Sequence, residues 1–303
     1  MMNVKSVLLT LPLVIISILT LGQPVFGMGG IGGGGSDLVI VPGPMKSPMR
    51  ITAMGKAKYV TTDYQGRKVY RIDPADPDHP QALFEIEGNP FAIEVVRNQF
   101  VIGNDSAGTI EIFKRHGRRG YQAKTFRAEG PIQASDITYD QRMHQLFVVD
   151  SLNHEVKVFT ENGQQLRAFG TAGPLVDPKG IAIDTRLKEV FVTDYGDEGS
   201  GIDASIQVYD YAGQLLRSIT GNFSRPQGIA VNANRIFLVD AMLGQVLVFD
   251  RGSSALIATL GNFGVAAGEL LLPMDVHLDA NTGQLLVTNN RLGKVTIFNA
   301  AGL

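Results

Sequence analysis

Six segments of this chain carry one pattern, and that repetition limits the possible folds more than any other feature. Each segment runs as an apolar strand, an Asp or Asn, a short polar turn, and a second strand ending in an aromatic or apolar pair. The copies run from Tyr59–Asp63 to Val69-Tyr70, from Phe100–Asn104 to Ile110–Phe113, and from Leu146–Asp150 to Val156–Phe159. They continue from Val190–Asp194 to Ile206–Tyr209, from Ile236–Asp240 to Val246–Phe249, and from Leu285–Asn289 to Val295–Phe298. The Asp/Asn positions step by 41, 46, 44, 46 and 49 residues, a mean of about 45. From each to the first apolar residue of the next strand is six positions in five copies; the fourth needs twelve, Asp194 to Ile206. A fixed period of this length marks a repeat architecture, in which each unit buries its apolar surface against its neighbours.

Two more strands complete each unit. One precedes the Asp/Asn and opens as Pro-x-Gly-apolar in the clearest copies, Pro178-Lys179-Gly180-Ile181 and Pro226-Gln227-Gly228-Ile229. Weaker forms begin at Pro48, Pro90 and Pro273, and the third copy drops the Pro and reads Ala134-Ser135-Asp136-Ile137. The other follows a turn, as in Gly163–Phe169, Gly213–Ile219 and Ala255–Leu260. The strand before each Asp/Asn is apolar on both faces, as a sheet sandwiched between sheets requires. The strand after it alternates, with Val156 and Val158 flanking Lys157, and Ile206 and Val208 flanking Gln207. Four short strands per ~45 residues make a propeller blade. The expectation is an all-β, six-bladed β-propeller of four-stranded antiparallel blades. The sixth copy ends too soon to form its own fourth strand. Asp37–Val41, otherwise unassigned, is expected to supply it and close the ring, which hides a free edge. Residues 37–303 are then one domain, although 303 residues would suggest two on a prior of roughly 150 each.

The turns also resemble a known family. Asp150-Ser151-Leu152-Asn153-His154-Glu155-Val156 is similar to the signature of the NHL repeat, and the Pro-x-Gly-Ile-Ala openings at Pro178 and Pro226 are similar to its start. The Gly-rich linker Gly261–Leu270 before Pro273 resembles its blade-to-blade loop. The resemblance covers about residues 48–303 and is stronger in copies three to six. It implies a six-bladed propeller. Members of that family include enzymes, RNA binders and protein-binding scaffolds, so the likeness does not choose among them.

The first residues read as an address. Residues 1–27 carry Lys5, an apolar stretch from Val7 to Leu21, and Val25-Phe26-Gly27 as a cleavage site, the pattern of a secretory signal peptide. Residues 28–36 are a Gly-rich tether with little to pack. The expected location is periplasmic or extracellular, with no transmembrane span once the signal is removed and membrane anchorage if it is retained. The absence of Cys removes disulfides and thiolate chemistry. The net charge of −2 offers no broad basic field for nucleic acid.

Candidate chemistry gathers at one mouth of the ring. The residue after Pro-x in each innermost strand is expected there: Arg50, Ala92, Asp136, Gly180, Gly228 and Asp275. Asp136 and Asp275 sit in opposite copies. They could share a hard cation such as Ca²⁺, or pair with Arg50 and close the channel. His277 lies two residues after Asp275, on the same strand face. Asp136, Asp275 and His277 are therefore candidate Ca or Zn ligands or acid–base groups, with Arg50 orienting an anionic substrate. One histidine is few for zinc, and the family's amidating-lyase branch uses several around the mouth. His154 reads as part of the repeat turn, and His79, His116 and His144 as solvated. The recurring Asp/Asn positions read as Asx turns.

Two loops stand apart from the repeat. The fourth-copy insertion, Tyr195–Ser205, is acidic and Gly-rich and falls on the mouth face, which makes Asp197, Glu198 and Asp203 candidate binding residues. Its spacing is not that of an EF-hand. Lys114, Arg115, Arg118 and Arg119 form a basic hairpin on the opposite face, either solvated or in contact with phosphate, an anionic surface or an acidic protein. No Gly-x-Ser-x-Gly elbow, phosphate loop or His-Glu-x-x-His motif is present. Two readings remain: an exported, monomeric scaffold that binds a protein or small ligand at the mouth face, and a metal-dependent hydrolase or lyase at the central mouth. One basic cluster, export and the net charge argue against nucleic acid.

Overall fold

The structure is a computed structural model and describes residues 38–117, 120–126, 130–170 and 175–303. The expected signal peptide and tether, Asp37, and Arg118 and Arg119 of the basic hairpin lie outside the described residues. The described residues begin with β1, Val39–Val41, and then form the blades in order. Blade 1 holds β2 (Pro48–Ala53), β3 (Tyr59–Asp63), β4 (Lys68–Ile72) and β5 (Gln81–Glu85). Blade 2 holds β6 (Pro90–Val96), β7 (Gln99–Asn104), β8 (Thr109–Arg115) and β9 (Tyr121–Phe126). Blade 3 holds β10 (Ala134–Asp140), β11 (Gln145–Asp150), β12 (Glu155–Thr160) and β13 (Gln165–Phe169). Blade 4 holds β14 (Pro178–Asp184), β15 (Glu189–Asp194), β16 (Ser205–Asp210) and β17 (Leu215–Thr220). Blade 5 holds β18 (Pro226–Val231), β19 (Arg235–Asp240), β20 (Gln245–Asp250) and β21 (Leu256–Leu260). Blade 6 holds β22 (Pro273–Asp279), β23 (Gln284–Asn289) and β24 (Lys294–Asn299).

Each blade is a four-stranded antiparallel sheet, and β1 is the outer strand of blade 6. It pairs antiparallel with β24, Val39 opposite Ile297 and Val41 opposite Val295. The expected closure is therefore present. The innermost strands touch in a cycle, β2 to β6 to β10 to β14 to β18 to β22 and back to β2. Six apolar clusters lie between neighbouring blades, one per interface. Second-strand residues such as Phe147, Val190 and Phe237 are buried on both faces, since each sheet is covered by the next. Removing such an aromatic from water stabilises by about 1.5–3 kcal/mol.

The recurring Asp/Asn residues do more than cap turns. Asp194 accepts from Gly196 N in its own turn at 2.8 Å, and from Val176 N and Asp177 N in the linker entering its blade at 2.7 and 2.9 Å. Asp63 and Asp240 do the same with Lys46, Ser47, Ser224 and Arg225. Each side chain fixes a turn and the start of the innermost strand together, which explains its recurrence. The alternation of the third strand is misleading, however. Lys157 and Gln207 are buried, because blades cover both faces there as well. Lys157 is held by Asp150 at 2.6 Å, and Gln207 donates to Ser205 Oγ at 2.8 Å.

Candidate functional site at the propeller axis

All six innermost strands carry a β-bulge at their start, one residue too many against the second strand. A bulge re-aims the side chain it contains. It turns the position of Arg50, Ala92, Asp136, Gly180, Gly228 and Asp275 toward the axis. All six positions are buried. The reason is Arg50, which crosses the axis and fills it. Its guanidinium donates to carbonyls of three other blades: Nε to Ser135 at 2.8 Å, one terminal nitrogen to Met274 at 2.8 Å and the other to Lys179 at 2.6 Å. Asp136 and Asp275 flank it at 3.7 and 3.5 Å. The side chain is 1 % exposed.

The carboxylates also join blades. Asp136 accepts from Ile181 N of blade 4 at 2.9 Å, and Asp275 from Ile51 N of blade 1 at 2.8 Å. Thr62, Thr193 and Thr288 do comparable work at the ends of their strands, donating to Phe91, Gln227 and Met49 carbonyls at 2.6–2.7 Å. The glycines of blades 4 and 5 make room for this network. A Cβ on Gly228 would fall 2.1 Å from Asp275 Oδ1, and one on Gly180 would fall 2.2 Å from the Gln227 carbonyl. Burial raises the pKa of both carboxyls, and Asp136's charge helps push that of Asp275 up to about 8 against the pull of Arg50.

Two residues further along the same strands the axis opens into a cavity of about 190 Å³. Thr52, Glu94, Thr138, Ala182, Ala230 and His277 line it, with Asp136 and Asp275 at its closed end. Glu94 accepts from Thr52 Oγ1 at 3.1 Å and from Val95 N at 2.6 Å. Burial pushes its carboxyl up to about 7, and Asp136 adds to the rise. Burial holds His277 down near 4 against the charge of Asp279, so its ring is neutral near pH 7. That ring meets Tyr59 edge-on at 5.5 Å. Glu94 was missed by sequence reasoning. The step of two residues that singled out His277 from Asp275 leads to Glu94 from Ala92.

This donor set does not fit a divalent ion. Among the described residues no group of three or more His, Asp or Glu side chains is placed to hold one. The space between Asp136 and Asp275 belongs to a guanidinium, and their other oxygens accept backbone N–H groups. On the mouth face, Tyr195 at the start of the blade-4 insertion lies under Lys179 at 5.0 Å and Arg225 at 5.1 Å from its ring centre. Gln227 donates to its hydroxyl, which burial pushes up. Asp197 caps its own turn, accepting from Gly199 N at 3.0 Å, whereas Glu198 and Asp203 are exposed. Lys114 and Arg115 lie at the end of β8, exposed and far from the axis in the order of strands.

Comparisons with known proteins agree with this geometry. No family model matches the chain. By sequence, 117 residues are 26% identical to the brain tumor protein of Drosophila melanogaster, covering 37% of this chain and 11% of that one. A further match is the human E3 ubiquitin-protein ligase NHLRC1, 32% identical over 107 residues, 34% of this chain and 26% of that one. The chain is a six-bladed propeller that is similar in sequence to these proteins over about a third of its length. It matches only 11% and 26% of the length of these two relatives. Among solved structures, a gluconolactonase of Xanthomonas campestris superposes with a TM-score of 0.66 at 13% identity, covering 86% of this chain and 88% of that one. A streptogramin B lyase gives 0.62 at 13% identity over 86% and 97%, and a chain of a nidogen/laminin complex 0.61 at 18% over 78% and 90%. At these identities the likeness concerns the fold alone. No helix among the described residues is long and apolar enough to cross a membrane.

Proposed function

We propose that this chain is an exported scaffold, periplasmic or extracellular, that binds a protein or small ligand on the mouth face of its propeller. The observation that carries the reading is the Arg50 plug. An axis filled by a guanidinium makes the mouth a closed platform instead of a well for substrate. The platform is furnished for contact. Ile202 of the insertion, Met242 of the next blade and Phe263 and Val265 of the following linker are exposed at 43%, 52%, 57% and 70%. Apolar side chains gathered on one face, with Glu198 and Asp203 beside them, suit a partner surface with a polar rim. NHL-type relatives support a binding role.

The test is a pull-down from envelope extract with the intact chain and with a variant lacking residues 197–204. A partner retained by the parent and lost by the variant, at unchanged circular dichroism, is the expected outcome. Equal capture by both removes this face from the proposal. The enzymatic alternative, a Ca- or Zn-dependent hydrolase or lyase using Asp136, Asp275 and His277 with Arg50, draws support from the axial cavity and from the lyase and lactonase folds it resembles. The plug weighs against it. The melting temperature is expected to ignore Ca²⁺, Zn²⁺ and EDTA, and a metal-dependent rise of several degrees would reverse the order of the two readings.

A further inference from the structure

A second cavity, of about 430 Å³, lies between blades 1 and 2, at the ends of strands far from the plugged mouth. Its wall is apolar: Met54 at the end of β2, Val95 of β6, Phe100 of β7 and Tyr121 of β9. These side chains are the outer limit of the core between the two blades, where Met54, Val95 and Tyr121 are only partly buried. Phe84 of blade 1 stiffens the wall, its ring 4.3 Å from that of Tyr121 and 4.9 Å from that of Phe113. Rigid rings with an open face lose little entropy when a ligand covers them.

The rim is cationic. Arg97, Lys114 and Arg115 line the same cavity, with Asn98 beside them. Arg97 is tied to Glu161 of blade 3 at 3.1 Å. Among the described residues, Lys114 and Arg115 have no acidic partner within ion-pair distance, and both are exposed. Lys114 and Arg115 are thus two uncommitted cations at the edge of a pocket with an aromatic wall. A neutral apolar ligand would leave those charges idle. A bare inorganic anion would leave the wall wet.

We propose that this pocket binds a small amphipathic anion, an aromatic or short aliphatic body bearing a terminal oxyanion. The body covers Met54, Phe100 and Tyr121, and the oxyanion takes charge-assisted hydrogen bonds from Lys114 and Arg115. The volume falls in the usual range for small-molecule sites, roughly 300–1,000 Å³. The proposal is independent of the mouth face.

Titration calorimetry with 4-phenylbutyrate and its uncharged amide, 4-phenylbutanamide, on the intact chain tests it. The carboxylate should bind roughly tenfold or more tightly than the amide, the difference that one charged hydrogen bond supplies. The Lys114→Gln/Arg115→Gln variant should lose that preference while its melting temperature stays that of the parent. Tyr121→Ala should weaken both ligands, and 0.5 M NaCl should weaken the carboxylate alone. Equal affinity for the two compounds, a preference that survives the double variant, or no binding of 4-phenylbutyrate at millimolar concentration would overturn the assignment.

Discussion

Two levels of the propeller axis, one step of two residues apart on the same strands, treat buried charge in opposite ways. At the first level Arg50 brings a permanent cation to Asp136 and Asp275 and spends its remaining donors on three carbonyls. At the second, Glu94 and His277 have no full countercharge, and burial shifts each toward its neutral form. The cost of a buried charge is met by pairing with a fixed cation, beside the raised Asp275 carboxyl, in one case and by changing protonation alone in the other. The first solution makes a rigid seal that joins blades 1, 3, 4 and 6. The second leaves a polar cavity whose charge follows pH.

The largest effect expected from disturbing this contrast is at the seal. Arg50→Met strands two buried carboxyls and three carbonyl oxygens, and should cost about 3–5 kcal/mol in urea unfolding. Adding Asp136→Asn and Asp275→Asn should recover part of that loss. A single variant as stable as the parent would mean that the seal is not held by charge pairing. Gly228→Ala comes next. Its new methyl would fall 2.1 Å from Asp275 Oδ1 and 2.5 Å from Asp275 Cα, so both the carboxyl and the start of β22 must shift, at a cost of roughly 1–3 kcal/mol.

The smallest effects concern pH and separate the two levels most directly. A carboxyl raised on folding, like Glu94, holds its proton more tightly in the native state. Its contribution is full below the unfolded value near 4.5 and is lost as pH rises through about 7. A histidine lowered on folding, like His277, acts in the opposite sense, and stability rises from about pH 4 to 6.5. Unfolding free energies between pH 4 and 8 should therefore diverge. Glu94→Gln removes a downward slope and His277→Gln an upward one, while Asp275 adds a fall extending to about pH 8 in both variants. Curves parallel to the parent in both variants would show that the second level is no different from exposed surface.

The blades were readable from the chain because their strongest marks are local. The Asp or Asn and the strand after it are six residues apart, so the repeat appears in short windows. Closure by β1 was readable by elimination, since blade 6 lacked a strand. The axis was readable only in part. Arg50, Asp136 and Asp275 stood out by departing from Gly, yet their burial depends on carbonyls from blades 3, 4 and 6 that no local pattern brings together. Glu94 differs from its counterparts, Thr52, Thr138, Ala182, Ala230 and His277, at a position with no consensus, so nothing marked it as a departure. The cavity at blade 2 joins Met54 to Tyr121, residues whose meeting depends on how two blades pack. The buried Lys157 follows from the same cause.

The pairing of Val39 with Ile297 makes the last strand of the final blade wait for one of the first strands made. During synthesis the ring stays an open arc, and β24 has a bare edge until its outer neighbour returns from the far end of the chain. Completion is a single late event, and shortening either end by one strand undoes it. Fraying of the carboxyl terminus is opposed by a clasp that can open only if blade 6 separates from the segment leading into blade 1. A pull on either side of this pairing therefore loads the same short ladder of hydrogen bonds, backed by the apolar cluster between blades 6 and 1 and by the axial seal.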